Sequence, residues 1–286
     1  MCSSDLPVRT ERLVHIYRSE GHDVAALSGV DLDVRGGEMV GLLGPSGAGK
    51  STLLSLLGGM FPPSAGKIFF GDTELTAMSE RELDDLRARR VSIMLQGATR
   101  NLVPYRNPEQ NVMFAQRWAR RRARDLPAAR EILDTVGLAD HAHVPLRRLS
   151  AGQLQLAAVA VALAPRPGLL LADEPTSQLD HSATDTVLEA IARANRDLGT
   201  TVLLVTHDPA VARSLPRTVT IRDGKIGGEG RLGEEYAVVT ADGFLPLPAH
   251  ALPGLPPGTL VRVRSVADGF LLIVEGHHGA VDEDGS

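Results

Sequence analysis

Apolar and polar residues alternate over residues 27–34, where Val30, Leu32 and Val34 are separated by Asp31 and Asp33. A period of two puts neighbouring side chains on opposite faces, so this stretch predicts a half-buried strand. After a Gly36-Gly37 turn, the run Met39-Val40-Gly41-Leu42-Leu43 predicts a strand buried on both faces. It leads into a glycine-rich loop and a helix from about Lys50. Three further apolar runs, 91–95, 168–172 and 201–205, read as buried strands. Between the last two, Val187, Leu188, Ile191 and Leu198 fall near one helical face. Ser182-Ala183-Thr184-Asp185 resembles a capping box at its start, with Asp in place of Glu. Strands alternating with helices predict an α/β fold around a mostly parallel sheet.

The pattern changes in three places. Residues 1–9 read as a loose start. Residues 102–149 are polar, Arg-rich and helical in pattern, which predicts an inserted helical subdomain over about 98–150. Beyond Gly230, residues 235–240, 244–247, 260–266 and 270–274 read as short strands, with Asp242-Gly243 and Asp268-Gly269 as hairpin turns. They predict a small β-module over 234–275, separate from a main unit over 8–230. The polar, acidic stretch 276–286 reads as a disordered tail.

Composition narrows the picture. Thirty basic and 35 acidic residues give a net charge of −5, which argues against a non-specific nucleic-acid binder. A single cysteine, Cys2, excludes an intrachain disulfide and a Cys-rich zinc site. The longest apolar run, 156–164, has nine residues against the about 20 of a membrane span. No secretory signal follows Met1, so a soluble, cytoplasmic chain is expected. Lysine is scarce: only Lys50, Lys67 and Lys225 occur. Arg117, Arg120, Arg121, Arg122 and Arg124 form a basic cluster, read as a solvated helix face or as a contact for an acidic segment or lipid head groups.

Lys50 sits in Gly44-Pro45-Ser46-Gly47-Ala48-Gly49-Lys50-Ser51-Thr52, which fits G-x-x-x-x-G-K-[ST] between a strand and a helix. Glycines let such a loop turn its N–H groups onto phosphate oxygens, and the helix adds its positive end. Lys50 supplies a charge to the β- and γ-phosphates, and the Ser51 hydroxyl reaches Mg²⁺. The run Leu169-Leu170-Leu171-Ala172 ends in Asp173-Glu174. Asp173 at a strand exit can hold Mg²⁺ through water, and Glu174, pointing the other way along the strand, can polarise a water. His207 follows the 201–206 strand and would reach the same crevice to hold the γ-phosphate and the water. Gln96 ends the 91–95 strand, where a neutral amide can touch Mg²⁺ or water.

These pieces, in this order, resemble the ATP-binding subunit of ABC transporters over about residues 13–230. The resemblance rests on Tyr17, the 44–52 loop, Gln96, Leu149-Ser150-Ala151-Gly152-Gln153, Asp173-Glu174, Ser177-Gln178-Leu179-Asp180 and His207. Asn101-Leu102-Val103-Pro104 and Thr206-His207-Asp208-Pro209 look most like the lipoprotein-release and macrolide-export branch. The resemblance implies a P-loop NTPase core, an antiparallel β subdomain and an inserted helical subdomain. It implies ATP and Mg²⁺ as ligands and hydrolysis that powers an integral-membrane permease from the inner face of the membrane. It implies head-to-tail pairing of two subunits as a homodimer or heterodimer. Ser150, Ala151, Gly152 and Gln153 of one subunit would then cover the γ-phosphate held by Lys50 of the other, with Asp180 as a dimer contact and Tyr17 stacked on adenine. The alternatives are a soluble non-transport ABC ATPase and a nucleotide-dependent regulator.

The sequence departs from the family pattern at Ala151, where Gly is usual, and at Leu156 and Val161, where Arg is usual. The missing arginines bear on partner contacts. The C-terminal segment resembles AbrB-like swapped-hairpin domains through residues 238–248 and 257–263. Its expected role is regulation or dimer contact rather than DNA binding.

Overall fold

The structure, a computed structural model, describes residues 7–19, 22–120, 126–231, 234–238, 245, 255, 259–266 and 269–274. Its centre is a seven-stranded sheet of order β11-β10-β9-β3-β8-β7-β6. Strands β3 (Met39–Leu43), β6 (Val91–Met94), β7 (Leu169–Asp173), β8 (Thr201–Val205) and β9 (Arg217–Arg222) run parallel to their neighbours. β10 (Lys225–Arg231) and β11 (Glu234–Ala237) then extend the sheet antiparallel. A second, antiparallel sheet has the order β2-β1-β4-β5, from β1 (Val8–Ser19), β2 (His22–Val34), β4 (Ala65–Phe70) and β5 (Thr73–Glu74). β12 (Val261–Val266) and β13 (Gly269–Val274) pair only with each other among the described residues, as a hairpin.

The helices are α1 (Lys50–Leu57), α2 (Glu80–Arg89), α3 (Pro108–Arg120), α4 (Ala129–Thr135), α5 (Ala151–Leu163), α6 (His181–Leu198) and α7 (Pro209–Ser214). The uninterrupted apolar strands are explained by two cores, one on each face of the large sheet. Leu170, Ala172, Val202 and Leu204 face a core shared with α3 to α6. Leu169, Leu171, Leu203 and Val205 face the other core, shared with α1 and the antiparallel sheet. Alternate residues of one strand thus serve opposite cores, so no position on it can be polar without cost.

Several expectations are corrected. Val8 and Arg9, expected in a loose start, already belong to β1. β1 escapes a period-two reading because its register shifts between Thr10 and Leu13, Leu13 and Val14, and His15 and Ile16, each shift turning the side-chain alternation over. α6 is capped by Asp180, whose carboxylate accepts from the Ala183 N–H at 2.8 Å, and not by a box starting at Ser182. Asp and Ser cap helices about equally well, so the path of the chain into α6 decides which of them does so. The strand expected at 235–240 is β11, which pairs with β10 and so belongs to the large sheet. Arg117 and Arg120 are exposed on α3, while Arg121, Arg122 and Arg124, the 244–247 strand (Leu245 aside), the Asp242-Gly243 turn and residues 276–286 lie outside the described residues.

Candidate nucleotide site

Parallel pairing of β3 with β8 and of β8 with β7 brings their C-terminal ends side by side, with Asp173 level with Val205. The glycine-rich loop leaves the end of β3 and turns directly into α1. Gly44 (φ 141°) and Gly49 (φ 97°) are in backbone conformations that side chains disfavour. A Cβ on Gly44 would lie 2.1 Å from the Ile221 carbonyl oxygen, and one on Gly49 2.3 Å from that of Ala26. Both glycines are therefore required by space as well as by φ. Gly49 is the N-cap of α1 and supplies no side-chain cap. The N–H groups of Gly49, Lys50, Ser51 and Thr52 take no partner among the described residues. Lys50 is buried, and its Nζ donates to the carbonyls of Gly44 at 2.8 Å and Pro45 at 2.7 Å. The loop is thus wrapped around its own lysine, a cradle shaped for an anion.

The Ser51 hydroxyl donates to Asp173 Oδ1 at 3.2 Å. Burial pushes the Asp173 carboxyl above its ordinary value, with the Glu174 charge adding to the rise, while the Ser51 hydrogen bond and the Lys50 charge pull against it. No group of three or more His, Cys, Asp or Glu side chains could hold a metal among the described residues. The adjoining hydroxyl and carboxylate of Ser51 and Asp173 are hard oxygen donors that fit Mg²⁺, which keeps several waters and takes its other ligands from bound phosphates.

Glu174 lies just past β7 with φ 47°, and its N–H donates to the Val205 carbonyl at 3.1 Å. Strand alternation does not aim it, because the chain has already left the strand. Its Oε2 accepts from Gln96 Nε2 at 2.8 Å, and its Oε1 pairs with His207 Nδ1 at 2.9 Å. Three residues from three separate parts of the sequence are thus joined through one carboxylate. Gln96 itself is set by Asn101, whose amide donates to the Leu95 and Gly97 carbonyls and accepts from the Leu95 N–H. A cleft of about 430 Å³ lies beside the carboxylate, lined among others by Gln96, Ser177, Asp180, Thr206 and His207.

Tyr17 is half-exposed, and its hydroxyl meets Thr52 Oγ1 at 3.2 Å. Its ring stands edge-on to His15, with centroids 4.7 Å apart, and His15 in turn meets Phe61 at 4.9 Å. Ser150 caps α5 with a reciprocal box: its Oγ accepts from the Gln153 N–H at 3.2 Å, and its N–H donates to Gln153 Oε1 at 3.0 Å. Gln153 Nε2 meets His141 Nε2 at 2.9 Å. Within the subunit, the 150–153 segment makes its side-chain hydrogen bonds to itself and to His141, and none to the phosphate loop. Gly152 lies against α6, where an added Cβ would stand 3.0 Å from the Ala183 Cβ. Leu156 is buried and Val161 packs against the same core, so these departures from the family pattern serve packing. Asn101 and His141 carry contacts that the motif reading assigned to neither. Asn101 stood in a recognised run without a task, and His141 stood in no motif.

A glycine cradle, a buried lysine, a hydroxyl–carboxylate pair and a held glutamate at the ends of parallel strands define a phosphate-loop nucleotide hydrolase. A family model described as "ABC transporter" matches residues 27–177. The methionine import ATP-binding protein of Mesorhizobium japonicum is 39% identical over 254 residues, covering 88% of this chain and 68% of that protein. A methionine import ATP-binding protein of Rhodococcus jostii is 34% identical over 278 residues, covering 96% and 80%. A solved ATP-binding cassette, dimeric in a post-hydrolysis state with ADP and Pi, superposes with a TM-score of 0.69 at 30% identity, covering 79% of this chain and 98% of that one. The chain belongs to the ATP-binding subunits of ABC transporters. It binds ATP with Mg²⁺ and hydrolyses it in a reaction coupled to transport. These relatives are named for methionine import, and not for the lipoprotein release or macrolide export expected from residues 101–104 and 206–209.

Proposed function

We propose that this subunit powers a membrane permease for uptake of a small amino acid, methionine being the one its relatives' names support. The observation that carries the ATPase half of this reading is Glu174, held between Gln96 at 2.8 Å and His207 at 2.9 Å beside the phosphate loop. Lys50 and the open N–H groups of α1 hold the β- and γ-phosphates. Ser51, Asp173 and Gln96 hold Mg²⁺, which supplies charge neutralisation on the phosphate oxygens. Glu174 accepts the proton of the attacking water, and His207, donating from Nδ1, keeps the carboxylate turned toward that water. Tyr17 offers its ring to adenine, tied to the loop through Thr52. Ser150, Ala151 and Gly152, with Gln153, meet the γ-phosphate of a second subunit, and Asp180 lies at that interface. The main unit spans about 8–237 with β11 included, and the rest of the expected 234–275 module contributes regulation or dimer contact.

No helix of the described residues is long and apolar enough to cross a membrane. The permease is read as a separate chain or segment, on whose cytoplasmic face the subunit works. Glu174→Gln should bind Mg-ATP with near-native affinity, hydrolyse it about 10²- to 10⁴-fold more slowly, and accumulate as a dimer. Phosphate release and light scattering with and without ATP measure this. Undiminished hydrolysis would remove Glu174 from its role. ATP-dependent uptake of labelled methionine by vesicles holding the co-purified permease tests the transport half, and export or no uptake overturns it.

A further inference from the structure

The amide of Gln153 has only one possible orientation. Its Oε1 accepts the backbone N–H of Ser150 at 3.0 Å, so the atom facing His141 at 2.9 Å is the amide nitrogen, which can only donate. The Nε2 of His141 must then be the lone-pair nitrogen of the ring, and the ring proton sits on Nδ1. The bonds run in one line: Gln153 donates to His141 while accepting from Ser150, and each bond polarises the other. The backbone that carries the ring is anchored. His141 ends a single 3₁₀ turn, Ala139–His141, flanked by Leu138 and Ala142, which are 1% and 2% exposed in the helix-side core. The backbone N–H of His141 donates to the Leu138 carbonyl at 3.0 Å.

We propose that His141 is a positioning residue for ATP-driven pairing of subunits. It acts as a fixed acceptor that holds Gln153, and through Gln153 the cap of α5, in the pose presented to the partner's nucleotide. Without that acceptor the Gln153 side chain is free to leave the box, and the Ser150 N–H and hydroxyl lose their shared geometry. The proposal rests on the reading above in which the 150–153 segment meets ATP held by a second subunit. It concerns pairing alone and leaves the phosphate loop of the same subunit untouched.

The test uses the full chain carrying Glu174→Gln, so that the ATP-bound dimer accumulates. His141→Leu removes the acceptor. His141→Gln places a carbonyl oxygen near the position of Nε2 and restores it. The readouts are the ATP concentration giving half-maximal dimer by light scattering, and ADP affinity by titration, which reports the phosphate loop alone. His141→Leu should raise the half-maximal ATP concentration roughly five- to tenfold, the loss of one hydrogen bond. ADP affinity should be unchanged, and His141→Gln should recover most of the loss. Should His141→Leu fail to fold, His141→Phe keeps a ring without the acceptor and takes its place. Pairing at the parental ATP concentration in the variant without an acceptor overturns the proposal. So does a His141→Gln variant as weak as His141→Leu, since ring shape would then be the cause. If the Glu174→Gln parent stays monomeric at saturating ATP, pairing through the 150–153 segment fails and the proposal falls with it.

Discussion

α1 and α5 both begin in short glycine- and serine-containing segments, and both are read as meeting phosphate, yet their first turns are built in opposite ways. At α1 the N-cap is Gly49, no side chain caps the helix, and the N–H groups of four successive residues, Gly49 to Thr52, take no protein partner among the described residues. At α5 the Ser150 box occupies the N–H groups of Ser150 and Gln153, which leaves those of Ala151 and Gly152. The first end is a preformed anion cradle that needs only a ligand. The second is a finished helix start with two donors to spare, which is stable without nucleotide and suited to a weaker, shared contact.

The sharpest way to break this contrast is at the open end. Lys50→Ala removes two charge-assisted hydrogen bonds from the loop and the cation nearest the β- and γ-phosphates. ATP affinity should fall about 100-fold or more, measured by titration with a fluorescent ATP analogue. Unchanged affinity would mean that the cradle holds something else. At the closed end, Leu156→Arg would restore the family's usual residue while placing a charge where Leu156 is 6% exposed in the core. The cost should be about 3 kcal/mol or more, seen as a lower melting temperature, because the guanidinium has no partner there. A stable variant would show that α5 can roll to expose this face.

Ser150→Ala is smaller in effect and separates the two ends most cleanly. Loss of the cap should cost about 1 kcal/mol of stability and leave ADP affinity unchanged. Denaturant titration and calorimetry check both halves, and an altered ADP affinity would join the two ends within one subunit. The smallest effect concerns pH. Burial raises the Asp173 carboxyl above the ordinary carboxylate range of about 4, so protons compete with Mg²⁺ for it at a higher pH than for a free carboxylate. As pH falls toward that raised value, Asp173 takes up a proton and Mg-ATP affinity should fall by a few-fold, with more Mg²⁺ needed to restore it. Asp173→Asn should flatten this dependence. A dependence that survives the substitution would place the titrating group elsewhere.

What could be read from the chain follows the same division. The open end was legible in full, because its requirements are written as residue types: glycines where φ is positive, one lysine in a lysine-poor chain, a hydroxyl next to it. The apolar strands were legible because burial on both faces leaves few polar positions, Ser92 in β6 and Thr201 in β8 among them. β1 was not, because its bulges break the alternation that marks a strand. The cap of α6 was misplaced by two residues, since Asp180 and Ser182 both satisfy the composition of a cap and only the chain's path chooses between them. The placement of Glu174 was legible as a residue but not as a geometry, since its left-handed backbone and its hold by Gln96 and His207 come from tertiary contacts. His141 left no local signal at all, because its only mark is the amide it faces in the folded chain.

Gly152 and Asp180 both bear on one small residue, Ala183, the first through the near contact of its α-carbon side and the second through the N–H it caps. In mechanical terms Ala183 is a shared pivot. A side chain at residue 152 would have to displace Ala183, whose N–H Asp180 caps, so the start of α5 and the start of α6 share one packing point. A larger residue at 152 would therefore disturb both segments read as facing a second subunit at once, through a single point of contact.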